Sequence, residues 1–156
     1  MNSKKLGPLI ISILIPIALG MFASLLTKNT VTIYSQLIKP PLNPPAFIFP
    51  IVWTILYILM GISSYLIYSS NSPLKTRALN IYGAQLIFNF FWSIIFFGFN
   101  MYLLAFIWLV VLILLIIWMI VIFYRISPIA AYLQIPYLLW CLFAAYLNFM
   151  VYYLNR

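Results

Sequence analysis

Five long apolar runs constrain this sequence more than any other feature. Between charged residues, prolines and polar clusters, the runs cover about residues 6–27, 47–69, 78–98, 102–124 and 129–153. Each is close to the length of about 20 apolar residues that an α-helix needs to cross a bilayer. Because lipid offers the backbone no hydrogen-bond partner, such segments cross as helices. The sequence therefore predicts an all-α integral membrane protein, a five-transmembrane-helix bundle that forms a single domain over residues 1–156.

The charge content supports this prediction and excludes many kinds of chemistry. Hydrophobic residues make up 67% of the chain and charged residues only 5%, against roughly 25% charged residues in soluble domains. All eight charged residues are basic, and the sequence contains no Asp, Glu or His. Carboxylate pairs, Ser-His-Asp triads, His or carboxylate metal sites and proton relays through buried acids are thereby excluded. The basic residues are scattered, so we expect lipid head groups, and no nucleic acid, as their partners.

The first apolar run has two interpretations. Lys4 and Lys5 ahead of an apolar stretch resemble a secretory signal, but the stretch from Leu9 to Leu26 exceeds the roughly 7–15 residues of a signal's apolar region. We therefore expect it to remain as the first helix. Five helices place the termini on opposite sides of the membrane, and the N-terminal side then carries five of the eight basic residues. This excess predicts a cytoplasmic N-terminus.

Proline and glycine positions indicate where the backbone is stiff or closely packed. The connection over about residues 28–46 is the only long one, and its four prolines between residues 40 and 45 predict a rigid cover over one end of the bundle. Pro50 and Pro136 are expected to kink the second and fifth helices. Gly61, Gly83 and Gly98 are predicted to be positions of close helix packing.

Aromatic and polar residues recur at helical spacing in three of the five runs. The sets are Trp53 and Tyr57; Gln85, Asn89 and Ser93, with Trp92 beside them; and Trp140, Ala144 and Asn148. Interfacial tryptophans and interhelical hydrogen bonds are structural alternatives for these sets, and both stay open. In a chain without acids, the combination predicts a site for a large, flat, mostly apolar molecule. Any carboxylates on that molecule could reach Lys39 at the rim.

Three sequence motifs occur in order along the chain. They are K-P-x-x-x-P-P-x-x-x-F-x-x-V-W-x-x-L-Y, Q-L-x-x-N-x-x-W-S and P-Y-x-x-W-x-x-F-A-x-x-L-N, found within residues 34–61, 78–98 and 130–148. In these motifs the chain resembles the TspO/MBR family, the tryptophan-rich sensory proteins related to the mitochondrial translocator protein, or peripheral benzodiazepine receptor. Ile33 and Leu42 depart from the resemblance, because many family members have tryptophan at these two loop positions.

The resemblance implies a bundle that is frequently a homodimer, in a bacterial cell membrane, with a pocket under the loop between its first two helices. Family members bind porphyrins such as protoporphyrin IX and similar flat apolar molecules, as ligands and not as cofactors. Position by position, the pocket-lining candidates are Tyr34, Pro44, Trp53, Tyr57, Asn89, Trp92, Trp140, Phe143 and Ala144. We therefore expect a membrane receptor or sensor for tetrapyrroles, with no resident cofactor and no metal.

Two further functions remain open from the sequence. Trp53 and Trp140 match the tryptophans that some bacterial family members use in light- and oxygen-dependent porphyrin degradation, which would make them the catalytic residues. Such chemistry is supplied by the ligand, light and oxygen, so the lack of acids and histidines does not exclude it. Transport of small amphipathic molecules is the other alternative, although no internal repeat of the kind common in transporters is evident.

Overall fold

Helices account for most of the described chain, residues 3–156 of a computed structural model. They are α1 (Ser3–Thr27), α2 (Val31–Ser35), α3 (Ile48–Tyr68), α4 (Lys75–Ser93), α5 (Tyr102–Ile126), α6 (Pro128–Tyr132) and α7 (Ile135–Leu154). Five segments are long and apolar enough to cross a membrane: Lys5–Thr27, Ile48–Tyr68, Lys75–Gly98, Tyr102–Ile126 and Pro128–Leu154. The predicted fold class, an all-α membrane protein with five spanning helices, is confirmed.

The connection between the first two spans is more ordered than a loop. The segment expected to be a loop over about residues 28–46 contains the short helix α2, and the proline-rich stretch follows it. The Asn155 side chain accepts a hydrogen bond from the Ile38 N–H and donates one to the Ile38 carbonyl, both at 2.9 Å. The connection is thereby tied to the end of α7.

The fifth span was predicted as one helix over residues 129–153 with a kink at Pro136, but it is interrupted just before that proline. α6 ends at Tyr132, and α7 begins at Ile135. Pro136 has no N–H to donate to the Tyr132 carbonyl four residues earlier, so the helical hydrogen bonds cannot continue through this point. Ser127 ends α5 and caps α6, because its hydroxyl accepts a hydrogen bond from the Ala130 N–H.

α4 ends in a π-helical turn, Ile94–Gly98, in which the Phe99 N–H bonds to the Ile94 carbonyl at 3.0 Å. Asn100 follows in the left-handed conformation, with φ of 56°. Asparagine tolerates this conformation better than most residues do, so it suits the sharp reversal into α5. Turns of the π type are frequent at functional sites, and the Phe96 and Phe97 rings of this turn pack against the Tyr34 ring of α2.

α3 and α7 lie side by side with a gap between them. α1 packs on α3 and α4, while α5 packs on α4, α6 and α7. α3 meets the short α6, where the Ser63 hydroxyl donates a hydrogen bond of 2.7 Å to the Ala130 carbonyl. Towards the other end of the bundle, the aromatic side chains of Phe49 and Trp53 bridge from α3 to α7.

Gly61 of α3 lies directly against the backbone of α1. A Cβ atom there would collide with the Ile13 Cα and would lie 2.7 Å from the Ser12 carbonyl oxygen. Close packing at Gly61 is therefore confirmed. The same prediction for Gly83 is wrong, because a Cβ atom on Gly83 would have nothing within 4 Å.

Candidate functional site

A chain of hydrogen bonds joins three helices inside the bundle. The Tyr137 hydroxyl of α7 donates to Gln85 Oε1 at 2.7 Å and accepts from Asn89 Nδ2 at 2.9 Å, and both partners belong to α4. The Tyr57 hydroxyl of α3 donates to Asn89 Oδ1 at 3.3 Å. Gln85, Asn89 and Tyr137 are buried, so each polar group there needs such a partner. The network fixes α3, α4 and α7 relative to one another.

A second buried hydrogen-bond chain starts at Trp92 of α4. Its indole N–H donates to Asn148 Oδ1 at 3.1 Å, and Asn148 Nδ2 donates to the Tyr102 carbonyl at 2.8 Å. Trp92 and Asn148 are buried. The buried indole N–H of Trp92 therefore has a hydrogen-bond partner, and these bonds hold α4, α5 and α7 together.

Trp53 lies at the centre of an aromatic cluster between these two chains of hydrogen bonds. Its ring centroid lies 5.5 Å from that of Tyr57, 6.3 Å from that of Trp92 and 6.3 Å from that of Tyr137. These separations are within the range of favourable ring–ring contacts. The indole is only partly buried, so one part of it remains available to a neighbouring molecule.

An apolar cleft with a volume of about 410 Å³ lies between α3 and α7, on the outer side of this cluster. Its walls are Val52, Ile55, Leu56, Pro136, Leu139, Trp140 and Phe143. Ile55 and Leu139 are more than half exposed, so the cleft opens on the side of the bundle. The volume falls within the range of about 300–1,000 Å³ that small-molecule sites occupy.

The connection between α1 and α3 reaches this interior through Tyr34 of α2. The Tyr34 ring lies 5.7 Å from the Phe96 ring and 5.5 Å from the Phe97 ring, and its hydroxyl donates to Asn43 Oδ1 at 3.2 Å. The Lys39 ammonium lies 5.3 Å from the Tyr34 ring centroid. Burial, and to a smaller extent the neighbouring hydroxyl of Tyr102, raises the pKa of Tyr34, which keeps it neutral.

The predicted site residues separate into two adjacent groups. Trp53, Tyr57, Asn89 and Trp92 meet in the interior cluster, whereas Trp140 and Phe143 form part of the cleft wall. Three further candidates lie around them. Tyr34 contacts the end of α4, Ala144 is buried in α7, and Pro44 lies in the connection, where its carbonyl accepts a hydrogen bond from Asn43 Nδ2.

Several residues that the predicted set did not include also belong to the site. Tyr137 joins the hydrogen-bond chain, and Phe49 packs on Trp140 with ring centroids 5.9 Å apart. The spacing of Tyr137 one turn before Trp140 was visible in the sequence. The four aliphatic cleft residues gave no signal, because they resemble every other apolar residue in a spanning helix.

Two buried amides extend the polar interior beyond Tyr137. Among the described residues, Gln85 Nε2 and both polar atoms of Gln134 have no hydrogen-bond partner in the protein. Gln134 is one turn before Tyr137, and both glutamines are fully buried. An unpaired buried amide is costly, so these groups provide donors and an acceptor for a small polar guest or for water.

Gly20 of α1 sets the position of the Tyr57 ring. A Cβ atom on Gly20 would overlap Tyr57 Cε2 and lie 2.9 Å from its Cζ. We expect Gly20→Ala to push the ring away from Asn89 and to lower the free energy of unfolding by about 1 kcal/mol, the small end of over-packing costs because a ring can swing aside. A double-mutant cycle on detergent-purified protein measures the coupling. The penalty should disappear in a Tyr57→Leu background, and a penalty that persists there would contradict the contact.

The fold and the interior together define a polytopic α-helical membrane protein with an aromatic, amide-rich centre. Residues 12–154 match the TspO/MBR family. The chain is 38% identical to the tryptophan-rich protein TspO of Archaeoglobus fulgidus, over 99% of both chains. It is 35% identical to the tryptophan-rich sensory protein of Cereibacter sphaeroides, over 78% of this chain and 76% of that protein. It is 36% identical to the human translocator protein, over 76% and 72% of the two chains.

The chain therefore belongs to the TspO/MBR family, as its three motifs predicted. Some relatives are named tryptophan-rich protein and others translocator protein, and both groups match the chain over most of its length. Membership of this family and the five spanning segments make it an integral membrane protein.

Proposed function

We propose that this protein is a membrane receptor or sensor that binds flat, largely apolar molecules of the tetrapyrrole class, such as protoporphyrin IX, in the α3–α7 cleft. The observation that carries the proposal is the cleft itself, which has an aromatic wall and lies directly beside the Trp53 cluster. A planar ring system gains most where aromatic side chains give it broad faces to stack on.

The groups around the cleft suit such a ligand. Its walls are apolar apart from the Trp140 indole N–H, so the ring system would be held by burial and by contact with Trp140 and Phe143. The partly buried Trp53 indole offers a further aromatic surface between the cleft and the hydrogen-bonded interior. Lys39, held near the Tyr34 ring, is a cation that ligand carboxylates could reach at one end of the bundle.

Filling the cleft tests the proposal. Leu139→Trp adds a large ring at an exposed position that lines the cleft, and we expect it to weaken protoporphyrin IX binding at least about tenfold, or about 1.4 kcal/mol. The measurement is the shift of the porphyrin's main absorption band on titration of detergent-purified protein. This readout, unlike quenching of intrinsic fluorescence, is not complicated by the added tryptophan.

The matched control is Leu142→Trp, which adds the same ring to the same helix. Leu142 is 48% exposed, and it is not among the residues that line the cleft. This variant should bind as the unchanged protein does. The proposal fails if the unchanged protein shows no saturable binding, or if the two variants lose affinity equally.

A further inference from the structure

A second cleft, with a volume of about 180 Å³, lies between α4 and α5 at the end of the bundle that holds the start of α4. Its walls are Leu74, Arg77, Trp118, Val121, Ile122 and Arg125. Arg77 is in the first turn of α4, and Arg125 is in the last turn of α5. The cleft shares no lining residue with the α3–α7 cleft.

Both guanidinium groups lack an acidic partner within the chain. The sequence contains no Asp and no Glu. No side chain of these 156 residues can therefore neutralise Arg77 and Arg125, and an anion that does so must come from elsewhere.

The start of α4 adds to the uncompensated positive charge. Lys75 and Arg77 lie in its first turn, where there is no acidic residue. The N-terminal end of a helix carries a partial positive charge, so cations there are unfavourable unless an anion is close. Arg125 is placed favourably for its own helix, but it brings a further full charge to the same cleft.

The arrangement suits a phosphate group. The Arg77 guanidinium carbon lies 5.7 Å from the Trp118 ring centroid, and this contact restricts the side chain to one wall of the cleft. A guanidinium group presents paired donors that match two phosphate oxygens, and two such groups can hold one phosphate from two sides. A cleft of about 180 Å³ has room for the polar part of a phospholipid, but not for its acyl chains.

An exposed apolar stripe continues from the cleft along α5. Leu114, Trp118 and Val121 are 61%, 47% and 48% exposed and follow one another at helical spacing towards Arg125. Arg125 stands at the end of a spanning helix, where the membrane surface is expected. An acyl chain attached to a phosphate in the cleft would lie along this stripe, which a free phosphate or nucleotide would leave unused.

We propose that the α4–α5 cleft is a binding site for an anionic phospholipid, with the phosphate held between Arg77 and Arg125 and an acyl chain along Trp118. The test uses native mass spectrometry of detergent-purified protein with short-chain phosphatidylglycerol or phosphatidylcholine. Phosphatidylglycerol should be retained in preference, and Arg77→Gln with Arg125→Gln should reduce its retention at least tenfold. Far-UV circular dichroism of the double variant establishes that it is folded.

Arg156→Gln is the matched control, because Arg156 also lies on an aromatic ring, 4.3 Å from the Tyr153 centroid, but at the other end of the bundle. It should leave phosphatidylglycerol binding unchanged. Replacing Arg77 and Arg125 with lysine keeps the charge and removes the paired donors, and it should restore only part of the binding.

Three results would overturn the proposal. The first is equal retention of the two lipids, and the second is an equal loss in the Arg156→Gln control, which would indicate a general charge effect. The third is raised thermal stability of the lipid-free protein with inorganic phosphate alone, matching the gain from phosphatidylglycerol at the same concentration. That last result would assign the cleft to a soluble anion.

Discussion

Replacing Gly61 with alanine is expected to lower the free energy of unfolding by about 3 kcal/mol, the upper part of the usual range for over-packing. The new methyl group would collide with the Ile13 Cα and lie 2.7 Å from the Ser12 carbonyl oxygen, which are backbone atoms of α1. A backbone cannot rotate out of the way as a side chain can, so α1 and α3 must separate along their contact. Unfolding in increasing concentrations of SDS, followed by circular dichroism, measures the loss.

Gly83→Ala is the matched control for this experiment. Gly83 also lies inside a spanning helix, but a methyl group there would meet nothing within 4 Å. Alanine favours a helix more than glycine does, so this variant should be neutral or gain up to about 1 kcal/mol. A similar loss in both variants would show that the contact between α1 and α3 does not determine the cost.

Replacing Tyr137 with phenylalanine should cost about 2 kcal/mol. The change keeps the ring but leaves Gln85 Oε1 and Asn89 Nδ2 without their shared partner in a buried environment. Leaving a buried group unpaired costs about 1–3 kcal/mol in soluble proteins, whereas hydrogen bonds between membrane helices average about 0.6 kcal/mol. The expected loss of about 2 kcal/mol for the two unpaired groups lies between the totals that these two figures give. The same SDS titration measures this loss.

Tyr146→Phe provides the comparison for the hydroxyl group. Tyr146 belongs to the same helix but is 37% exposed at the bundle surface. Loss of its hydroxyl should change the free energy of unfolding by less than about 0.5 kcal/mol, as is usual for surface substitutions. If both variants lose the same amount, or if Tyr137→Phe loses nothing, the buried hydrogen-bond chain does not stabilise the bundle.

The spanning helices could be predicted because the signal is one of composition. A run of about 20 apolar residues has few alternatives in a bilayer, so the five segments follow from the sequence alone. What escaped prediction depends on single residues. α2 is a helix of five residues inside a polar connection. At Pro136 a kink was expected, but the one missing N–H there accompanies a full interruption before Ile135.

The prolines show how position changes the effect of one residue type. Pro50 was expected to kink the second spanning helix, but it lies in the first turn of α3, where its missing N–H interrupts no helical hydrogen bond. Pro136 also lies in the first turn of its helix, α7. Because α6 comes shortly before α7 in the same span, the missing N–H at Pro136 separates two helical segments. Neither proline therefore breaks its span near the middle.

The interior cluster was more predictable than the cleft. Gln85 and Asn89 form a polar stripe, and buried polar groups need hydrogen-bond partners. The sequence therefore indicated that they would bond to a polar group of another helix, although not to which one. Trp140 was one of the candidates, but the aliphatic residues that form the cleft wall with it carry no signal in the sequence.

The α3–α7 cleft opens on the side of the bundle, and this affects the concentration unit in which ligand affinity should be given. Ile55 and Leu139 flank the mouth of the cleft and lie within spanning segments, so a ligand of the proposed apolar class would enter from the bilayer and not directly from water. Its occupancy would then follow its mole fraction among the lipids. Diluting the protein with more lipid at constant total guest should lower saturation even though no contact has changed.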